Sequence, residues 1–116
     1  HQDGFVVLLD RKKDMIISGG FNIYPSDLEA VLFQHEGVRD TAVVGVPSRA
    51  WGETPVAFVV LKEGRGETAE QIKAWANERL GKTQRLAAVE LTRELPRSAI
   101  GKVLKRELRE RFKSSL

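Results

Sequence analysis

Apolar and polar residues follow one another along the chain in blocks that predict a small mixed domain of strands and helices. Apolar runs at Phe5–Leu9 and Met15–Ile17 flank a charged stretch, which is typical of a short β-hairpin. Val38–Val46 and Val56–Leu61 carry apolar side chains at adjacent positions, so they are predicted as neighbouring antiparallel strands covered on both faces. Ala88–Leu91 is predicted as one further short strand.

Three segments have the signals of amphipathic helices. The first begins at Pro25, whose missing N–H suits the first helical position, and ends by Gly37. The second follows the capping box Thr68–Gln71 and ends at Gly81. The third is predicted over about Val103–Phe112, with an apolar stripe on one side and basic residues on the other.

This order of elements is β, β, α, β, β, α, β, α. It indicates an α+β fold in which about three helices pack on a small, mostly antiparallel sheet preceded by a short β-hairpin. The 116 residues, 41% of them hydrophobic and 30% charged, fit a single domain over residues 1–116. The sequence has no cysteine, which excludes a disulfide scaffold, a thiol nucleophile and a Cys-ligated zinc, and favours a reducing compartment.

The start of the chain is polar and does not resemble a signal peptide. No apolar run approaches the ~20 residues that are needed to span a bilayer. We therefore expect a soluble, cytoplasmic protein, with peripheral association with a membrane left open. Because the chain enters an apolar run at Phe5 without an initiator Met, we also expect that upstream residues have been removed.

The net charge of +3 is unevenly distributed. Residues from Arg97 onwards carry +5 and residues 1–96 carry −2. Such a basic end is typical of a solvated helix face, and the alternative is a surface for a phosphate-bearing partner. A nucleic-acid-binding module is the competing class, but the chain lacks interleaved aromatics and a recognised nucleic-acid fold signature, so no nucleic-acid partner is expected.

Few residues carry an obvious catalytic pattern. His1 and His35 are far apart in sequence, and no metal site is predicted. Asp10 and Asp14 are interpreted as solvated charges in a turn. The pair Gly19–Gly20 lacks the spacing of a phosphate-binding loop, so it is either an ordinary turn or a place where the backbone approaches a thin ligand.

Lys102 is the most informative single residue. It follows Gly101 where the last helix is predicted to begin, and a cation there opposes the helix dipole by about 0.3–1 kcal/mol. Helix stability would therefore not select it. A mobile loop over Arg97–Gly101 with a lysine at its tip suits contact with an anion outside the domain, and an exposed lysine without a function is the alternative.

Two long motifs also resemble a known family. Asp10–Pro25 reads DRKKDMIISGGFNIYP and Leu95–Arg109 reads LPRSAIGKVLKRELR, and Val43–Pro47 and Trp51–Glu53 match between them. Together they resemble the C-terminal domain of the acyl-CoA synthetases in the adenylate-forming, or AMP-binding, enzyme superfamily. The Gly-Phe-Asn form of the glycine motif is similar to that of fatty-acyl-CoA ligases.

The resemblance implies a mobile lid of an acid–thiol ligase. Such an enzyme forms an acyl-adenylate from a carboxylic acid and ATP with Mg²⁺, and then an acyl-CoA thioester from coenzyme A with release of AMP. A large N-terminal domain, expected upstream, would hold the acid and most contacts with ATP and Mg²⁺, so the chain alone is expected to be inactive. A carrier-protein pantetheine as acceptor is an alternative to CoA.

The resemblance assigns three residues to the nucleotide and the hinge. Lys102 is the catalytic lysine of adenylation, with a fixed positive charge directed at the α-phosphate region and the carboxylate. Arg11 contacts the nucleotide, and Lys13, in the hinge segment 10–14, lies where the backbone rotates between two domain orientations. A solvated charged turn is the alternative for Arg11 and Lys13.

The resemblance further implies a channel for the pantetheine arm of CoA. Ser18, Gly19 and Gly20 would line this channel. Trp51 would pack against CoA, with a surface-capping tryptophan as the alternative, and Arg85 would lie near the CoA phosphates. Many family members carry a proline and a second basic residue after this arginine, whereas this chain has leucine and alanine there.

Overall fold

The computed structural model describes residues 15–50 and 52–114, apart from the side chains of residues 83, 113 and 114. A single 3₁₀ turn, Lys82–Gln84, precedes the last strand. The strands are β1 (Ile16–Ser18), β2 (Phe21–Ile23), β3 (Val38–Ser48), β4 (Gly52–Leu61) and β5 (Ala88–Leu91). The helices are α1 (Pro25–Phe33), α2 (Ala69–Arg79) and α3 (Lys105–Ser114).

The strands form one sheet in the order β2-β1-β4-β3, and β5 pairs with β4. The β4–β5 pairing is parallel and the other pairings are antiparallel. The predicted α+β fold is therefore confirmed for the described residues, which form three helices on a mostly antiparallel sheet with a short hairpin, β1–β2, at its start. The strand β3 lies at the end of the sheet order, so one of its sides faces away from β4.

A two-residue turn joins β1 to β2. Ser18 faces Phe21 across the pair, and the intervening Gly19 and Gly20 have φ of 58° and 85°. A type I′ turn needs positive φ at both central residues, and glycine supplies it without a steric penalty. Phe21 is thus the first residue of a strand rather than part of the turn. The predicted partner strand Phe5–Leu9 lies outside the described residues.

Helices cover both faces of the sheet. On one face, Leu28 of α1 and Ile72 of α2 pack in a cluster with Val43 of β3. On the other face, Leu108 of α3 is fully buried in a cluster that contains Phe58 of β4. Successive residues of β3 and β4 therefore enter different clusters, which explains why their apolar positions are adjacent rather than alternating.

The predicted starts of α1 and α2 agree with the structure. Pro25 is the first residue of α1. Before α2, the Gln71 backbone N–H donates to the Thr68 hydroxyl at 3.1 Å, and the Thr68 N–H donates to the Gln71 side chain at 2.9 Å. This reciprocal pair is the predicted capping box. The end of α1 differs, because the helix stops at Phe33 and a turn continues to Gly37.

The strands β3 and β4 extend beyond their apolar runs. The predicted strands stop at Val46 and resume at Val56, which leaves a polar segment between them, yet Pro47 pairs with Glu53 and Ser48 pairs with Gly52. Backbone hydrogen bonds form the ladder, so polar side chains at the exposed end do not terminate it. The connection is therefore shorter than the sequence pattern predicts.

The start of α3 also differs from the prediction. Val103 pairs with Arg97 in an isolated antiparallel bridge, which holds the backbone extended, and the helix begins only at Lys105. Lys102 lies in the preceding turn and not at the helix terminus. The argument from the helix dipole therefore applies to Lys105, which occupies the first helical position.

A polar and aromatic cluster joins the end of α1 to α2. The rings of His35 and Trp75 meet edge to face with their centroids 4.7 Å apart, and the Arg79 guanidinium lies 3.9 Å from the Trp75 ring centroid. The Gly37 N–H donates to Nδ1 of His35 at 2.9 Å. His35 thus takes part in packing and turn formation.

Glu67, in the segment before α2, makes an ion pair that gives folding a pH dependence. Side-chain hydrogen bonds from Arg65, and then the backbone N–H of Glu67 itself, lower the pKa of Glu67 from an ordinary 4.5 to about 2. An unfolded glutamate binds more protons than the folded one between these values. The stabilisation is therefore complete above about pH 4.5 and is lost as the pH falls towards 2.

We expect Glu67→Gln to make the stability of the protein less dependent on pH between about 4.5 and 2. Urea unfolding at a series of pH values would measure this slope for the variant and the unaltered protein. Equal slopes would show that the ion pair with Arg65 does not depress the pKa of Glu67.

Candidate functional site

Lys102 is exposed at the end of a tight turn that leads into α3. The Ser98 N–H donates to the Lys102 carbonyl at 2.8 Å, and the Gly101 N–H donates to the Ser98 carbonyl at 2.9 Å. Gly101 has a φ of 88°, which only glycine adopts readily. The segment predicted as a loop is therefore a turn that its own backbone hydrogen bonds close.

An open groove of about 720 Å³ lies beside this turn, between α1, β3 and α3. Five cationic and three acidic residues line it, and this excess of positive charge suits an anionic ligand. The cationic residues are Arg97, Lys102, Lys105, Arg106 and Arg109, and the acidic residues are Glu29, Asp40 and Glu107.

A second cleft, of about 420 Å³, contains residues that the sequence predicts for the CoA channel. Ser18 and Gly19 line it together with Arg85, although 66 residues separate Gly19 from Arg85 in the chain. Phe21, which belongs to the glycine motif but is given no site role by it, lines the same cleft. Lys82 also lines this cleft and lies outside both motifs. The sequence signal that could have identified Lys82 is its spacing from Arg85. Residues three apart in a 3₁₀ turn lie on the same side, and Lys82 lies three positions before Arg85.

Gly20 is an open position of the β1–β2 turn. A Cβ built on Gly20 would meet no heavy atom within 4 Å. The domain's own packing therefore leaves room for a side chain at Gly20. Only the positive φ of 85° disfavours other residues there within the domain.

The groove lined by Lys102 (the Lys102 groove) and the cleft lined by Ser18 and Gly19 (the glycine-turn cleft) lie beside opposite ends of β4. Ser18, in the cleft, pairs with Gly52 at the start of β4, and Asp40, in the groove, pairs with Val60 near its end. Eight residues of strand correspond to about 26 Å. The two cavities also share no lining residue. One docking position of the domain cannot bring both to the same point.

Three predicted site residues, Arg11, Lys13 and Trp51, lie outside the described residues. Within residues 15–50 and 52–114, no group of three His, Cys, Asp or Glu side chains is arranged to hold a metal ion. No helix in the described part of the chain is both long enough and apolar enough to cross a membrane.

Comparison with known proteins gives a consistent set of relatives. Residues 27–102 match the AMP-binding enzyme C-terminal domain. The long-chain-fatty-acid–CoA ligase of Bacillus subtilis is 46% identical over 94% of this chain and 20% of its own length. The 2-succinylbenzoate–CoA ligase of Geobacillus kaustophilus is 45% identical over 93% of this chain and 22% of its own. The ATP-bound structure of MatB from Rhodopseudomonas palustris superposes with a TM-score of 0.82 and 36% identity, over 88% of this chain and 20% of that one.

The chain spans about a fifth of the length of these relatives. The family match covers more than half of the 116 residues and includes most of α1, all of α2, the strands β3, β4 and β5 and the turn that ends at Lys102. The similarity in sequence and the similarity in fold therefore agree. The chain belongs to the family of AMP-binding enzyme C-terminal domains.

Proposed function

We propose that this chain is the C-terminal lid of an AMP-forming acid–CoA ligase. In the first step the enzyme would join a carboxylic acid to the AMP moiety of ATP and release pyrophosphate. In the second step the thiol of CoA would displace AMP and form the acyl-CoA thioester. The relatives named above include two acid–CoA ligases, and this supports a carboxylic acid and CoA as the substrate classes.

The observation that carries the proposal is the separation of the two cavities along β4. Ser18 of the glycine-turn cleft and Asp40 of the Lys102 groove lie about 26 Å apart along the direction of β4. A rigid domain with two such surfaces can serve two chemical steps only by docking in two orientations. The arrangement supports a lid that presents Lys102 for adenylation and then turns to present the glycine-turn cleft for thioester formation.

For adenylation, Lys102 would supply a fixed positive charge. Negative charge increases around the α-phosphate and the attacking carboxylate as the transition state forms, and a nearby ammonium group stabilises it electrostatically. Lys102 is exposed on the turn before α3, where a neighbouring domain can reach it. The excess of positive charge in the surrounding groove supports the same anionic partner.

For thioester formation, the glycine-turn cleft would accept CoA. Glycine backbone without side chains allows a thin pantetheine arm to approach closely, and Ser18 lies beside it. Arg85 and Lys82 place two positive charges in the same cleft, which suits the phosphates of CoA. Because leucine and alanine follow Arg85, the basic side chains that line the described cleft are those of Arg85 and Lys82.

The remaining roles follow from the resemblance alone. Arg11 would contact the nucleotide, Lys13 would act as the hinge, and Trp51 would pack against CoA. A large N-terminal domain would bind the acid and hold most of ATP and Mg²⁺, so the lid alone would not catalyse either step. A cytoplasmic location fits these substrates.

A carrier-protein pantetheine is the alternative acceptor. Both acceptors present the same pantetheine thiol to the glycine turn. They differ in the group at the far end of the pantetheine, which carries phosphates in free CoA and is a protein in the carrier. The positive charges of Arg85 and Lys82 match the phosphates of free CoA, and this favours CoA. Replacing both with alanine should raise the KM for CoA in a ligase, and an unchanged KM would favour the carrier protein.

The experiment that tests the function uses the complete enzyme and a form that lacks this domain. Acids chosen from the relatives, long-chain fatty acids and aromatic acids, would be supplied with ATP and Mg²⁺. We expect the complete enzyme to release pyrophosphate without CoA and to release AMP when CoA is added. The shortened form should lose both activities. Failure of the complete enzyme to form any adenylate, or full activity without the domain, would reject the proposal.

A further inference from the structure

The turn that carries Lys102 is tied to the sheet by an ion pair on its upstream side. The guanidinium of Arg97 donates one N–H to the carboxylate of Asp40 on β3 and another to the Gly101 carbonyl at 2.7 Å. One side chain thus fixes both the base of the turn and the residue directly before Lys102. Arg97 and Asp40 are 57 residues apart in the chain.

A second ion pair holds the downstream side. Nζ of Lys105, the first residue of α3, lies 3.0 Å from Oε2 of Glu29 on α1. The two side chains are only 17% and 20% exposed. A lysine at a helix N-terminus is unfavourable for the helix itself, so helix stability does not explain its presence. The ion pair with Glu29 explains why a lysine occupies this position.

Both carboxylates are themselves held by the backbone of β3. Asp40 Oδ1 accepts a hydrogen bond from the Thr41 N–H at 2.9 Å, and Glu29 Oε2 accepts one from the Val43 N–H at 2.9 Å. Because β3 ends the sheet order among the described strands, N–H groups on its outer side have no described strand to pair with. The two anchors are therefore part of the rigid sheet edge, and they lack the freedom of ordinary surface side chains.

We propose that Asp40 and Glu29 are positioning residues, which clamp the Lys102 turn from both sides through Arg97 and Lys105. This inference rests on the proposed role of Lys102 in adenylation. Arg97 lies five positions before Lys102, and Lys105 lies three positions after it. They fix the backbone from which its side chain extends, so that the ammonium group meets the reacting phosphate at a defined point. Displacing a catalytic group by about 1 Å can slow a reaction by as much as about 10²-fold.

The clamp differs from a general contribution to stability. Partly exposed ion pairs stabilise a fold only slightly. Arg97 and Asp40 are 42% and 26% exposed. Removing one of these charges should leave the domain folded and the glycine-turn cleft, at the other end of β4, unaltered. The loss should therefore appear in adenylation and not in thioester formation.

The test uses Asp40→Asn and Glu29→Gln in the complete enzyme. Each variant keeps an oxygen that can accept the β3 N–H and loses the charge that holds Arg97 or Lys105. We expect each to slow acyl-adenylate formation about 10-fold, while thioester formation from supplied acyl-adenylate stays within about twofold of the unaltered enzyme. Pyrophosphate exchange and AMP release would measure the two steps.

A double-mutant comparison separates positioning from structure. In a Lys102→Ala background, Asp40→Asn should cause no further loss of adenylation, because the clamp has no lysine left to position. The matched control is Glu67→Gln, which breaks another arginine–carboxylate pair, neither member of which lines the Lys102 groove, and should change neither step.

Three results would overturn the inference: no change in adenylation, equal loss in both steps, or additive loss in the Lys102→Ala background. If the unaltered enzyme forms no adenylate, or if Lys102→Ala does not slow adenylation, the proposed function itself fails and the clamp fails with it. A normal response to Lys102→Ala with a silent Asp40→Asn rejects the clamp alone.

Discussion

Replacing Lys102 with alanine in the complete enzyme is expected to slow acyl-adenylate formation by about 10²–10³-fold, because the transition state loses a charge directed at the reacting phosphate. Thioester formation from supplied acyl-adenylate should change far less, since the glycine-turn cleft lies at the other end of β4. Lys102 is exposed, so its loss should alter the free energy of unfolding by no more than about 0.5 kcal/mol.

Two further variants sharpen this measurement. Lys102→Arg keeps the charge and changes its shape and reach, so it should recover only part of the adenylation rate. Lys73→Ala removes a lysine of α2, which packs on the opposite face of the sheet from α3, and should be silent in both steps. Equal losses in the two half-reactions of Lys102→Ala would contradict the assignment of Lys102 to adenylation.

Replacing Gly20 with leucine should have the opposite selectivity. The new side chain would project into open space in front of the β1–β2 turn, where the pantetheine arm is proposed to pass. We expect thioester formation to fall by about 10²-fold or more, because the thiol can no longer reach the acyl carbon, while adenylation is retained. Separate assays of pyrophosphate release and acyl-CoA formation would measure the two effects.

The chain offers a matched control for the strain that this substitution introduces. Gly64 has a φ of 84°, against 85° for Gly20, and a Cβ there also meets nothing within 4 Å. Gly64→Leu should therefore cost the same ~1–2 kcal/mol of backbone strain and leave both half-reactions intact. If Gly20→Leu makes thioester as fast as Gly64→Leu, the glycine turn does not line the path of the thiol.

Much of the fold can be predicted from local sequence signals. Pro25 marks the start of α1 because its missing N–H needs no partner there. Thr68 and Gln71 mark the start of α2 through hydrogen bonds made within one turn of the chain. The apolar runs of β3 and β4 indicate burial on both sides. The ends of the elements are predicted less well. The start of α3 depends on the bridge between Arg97 and Val103, and the helical pattern of apolar residues does not reveal this bridge.

The candidate site is likewise only partly predictable from the sequence. Its motif residues Lys102, Gly19 and Arg85 can be recognised in the sequence, and the structure brings two of them, Gly19 and Arg85, into one cleft. Lys82 in the same cleft is missed, because no motif marks it and only the packing of the 3₁₀ turn beside the hairpin brings it there. Phe21 belongs to the glycine motif, but only the structure places it in the cleft. The roles predicted for Arg11, Lys13 and Trp51 stay predictions.

The sequence by itself determines the starts of α1 and α2, the apolar runs of β3 and β4, the glycine turn and the two motifs, because each depends on residues close together in the chain. Only the tertiary structure decides that β5 pairs with β4 in parallel, that the two cavities lie at opposite ends of β4, and that Asp40 meets Arg97. Contacts between residues that are dozens of positions apart depend on how the whole chain packs. Local propensity does not encode them.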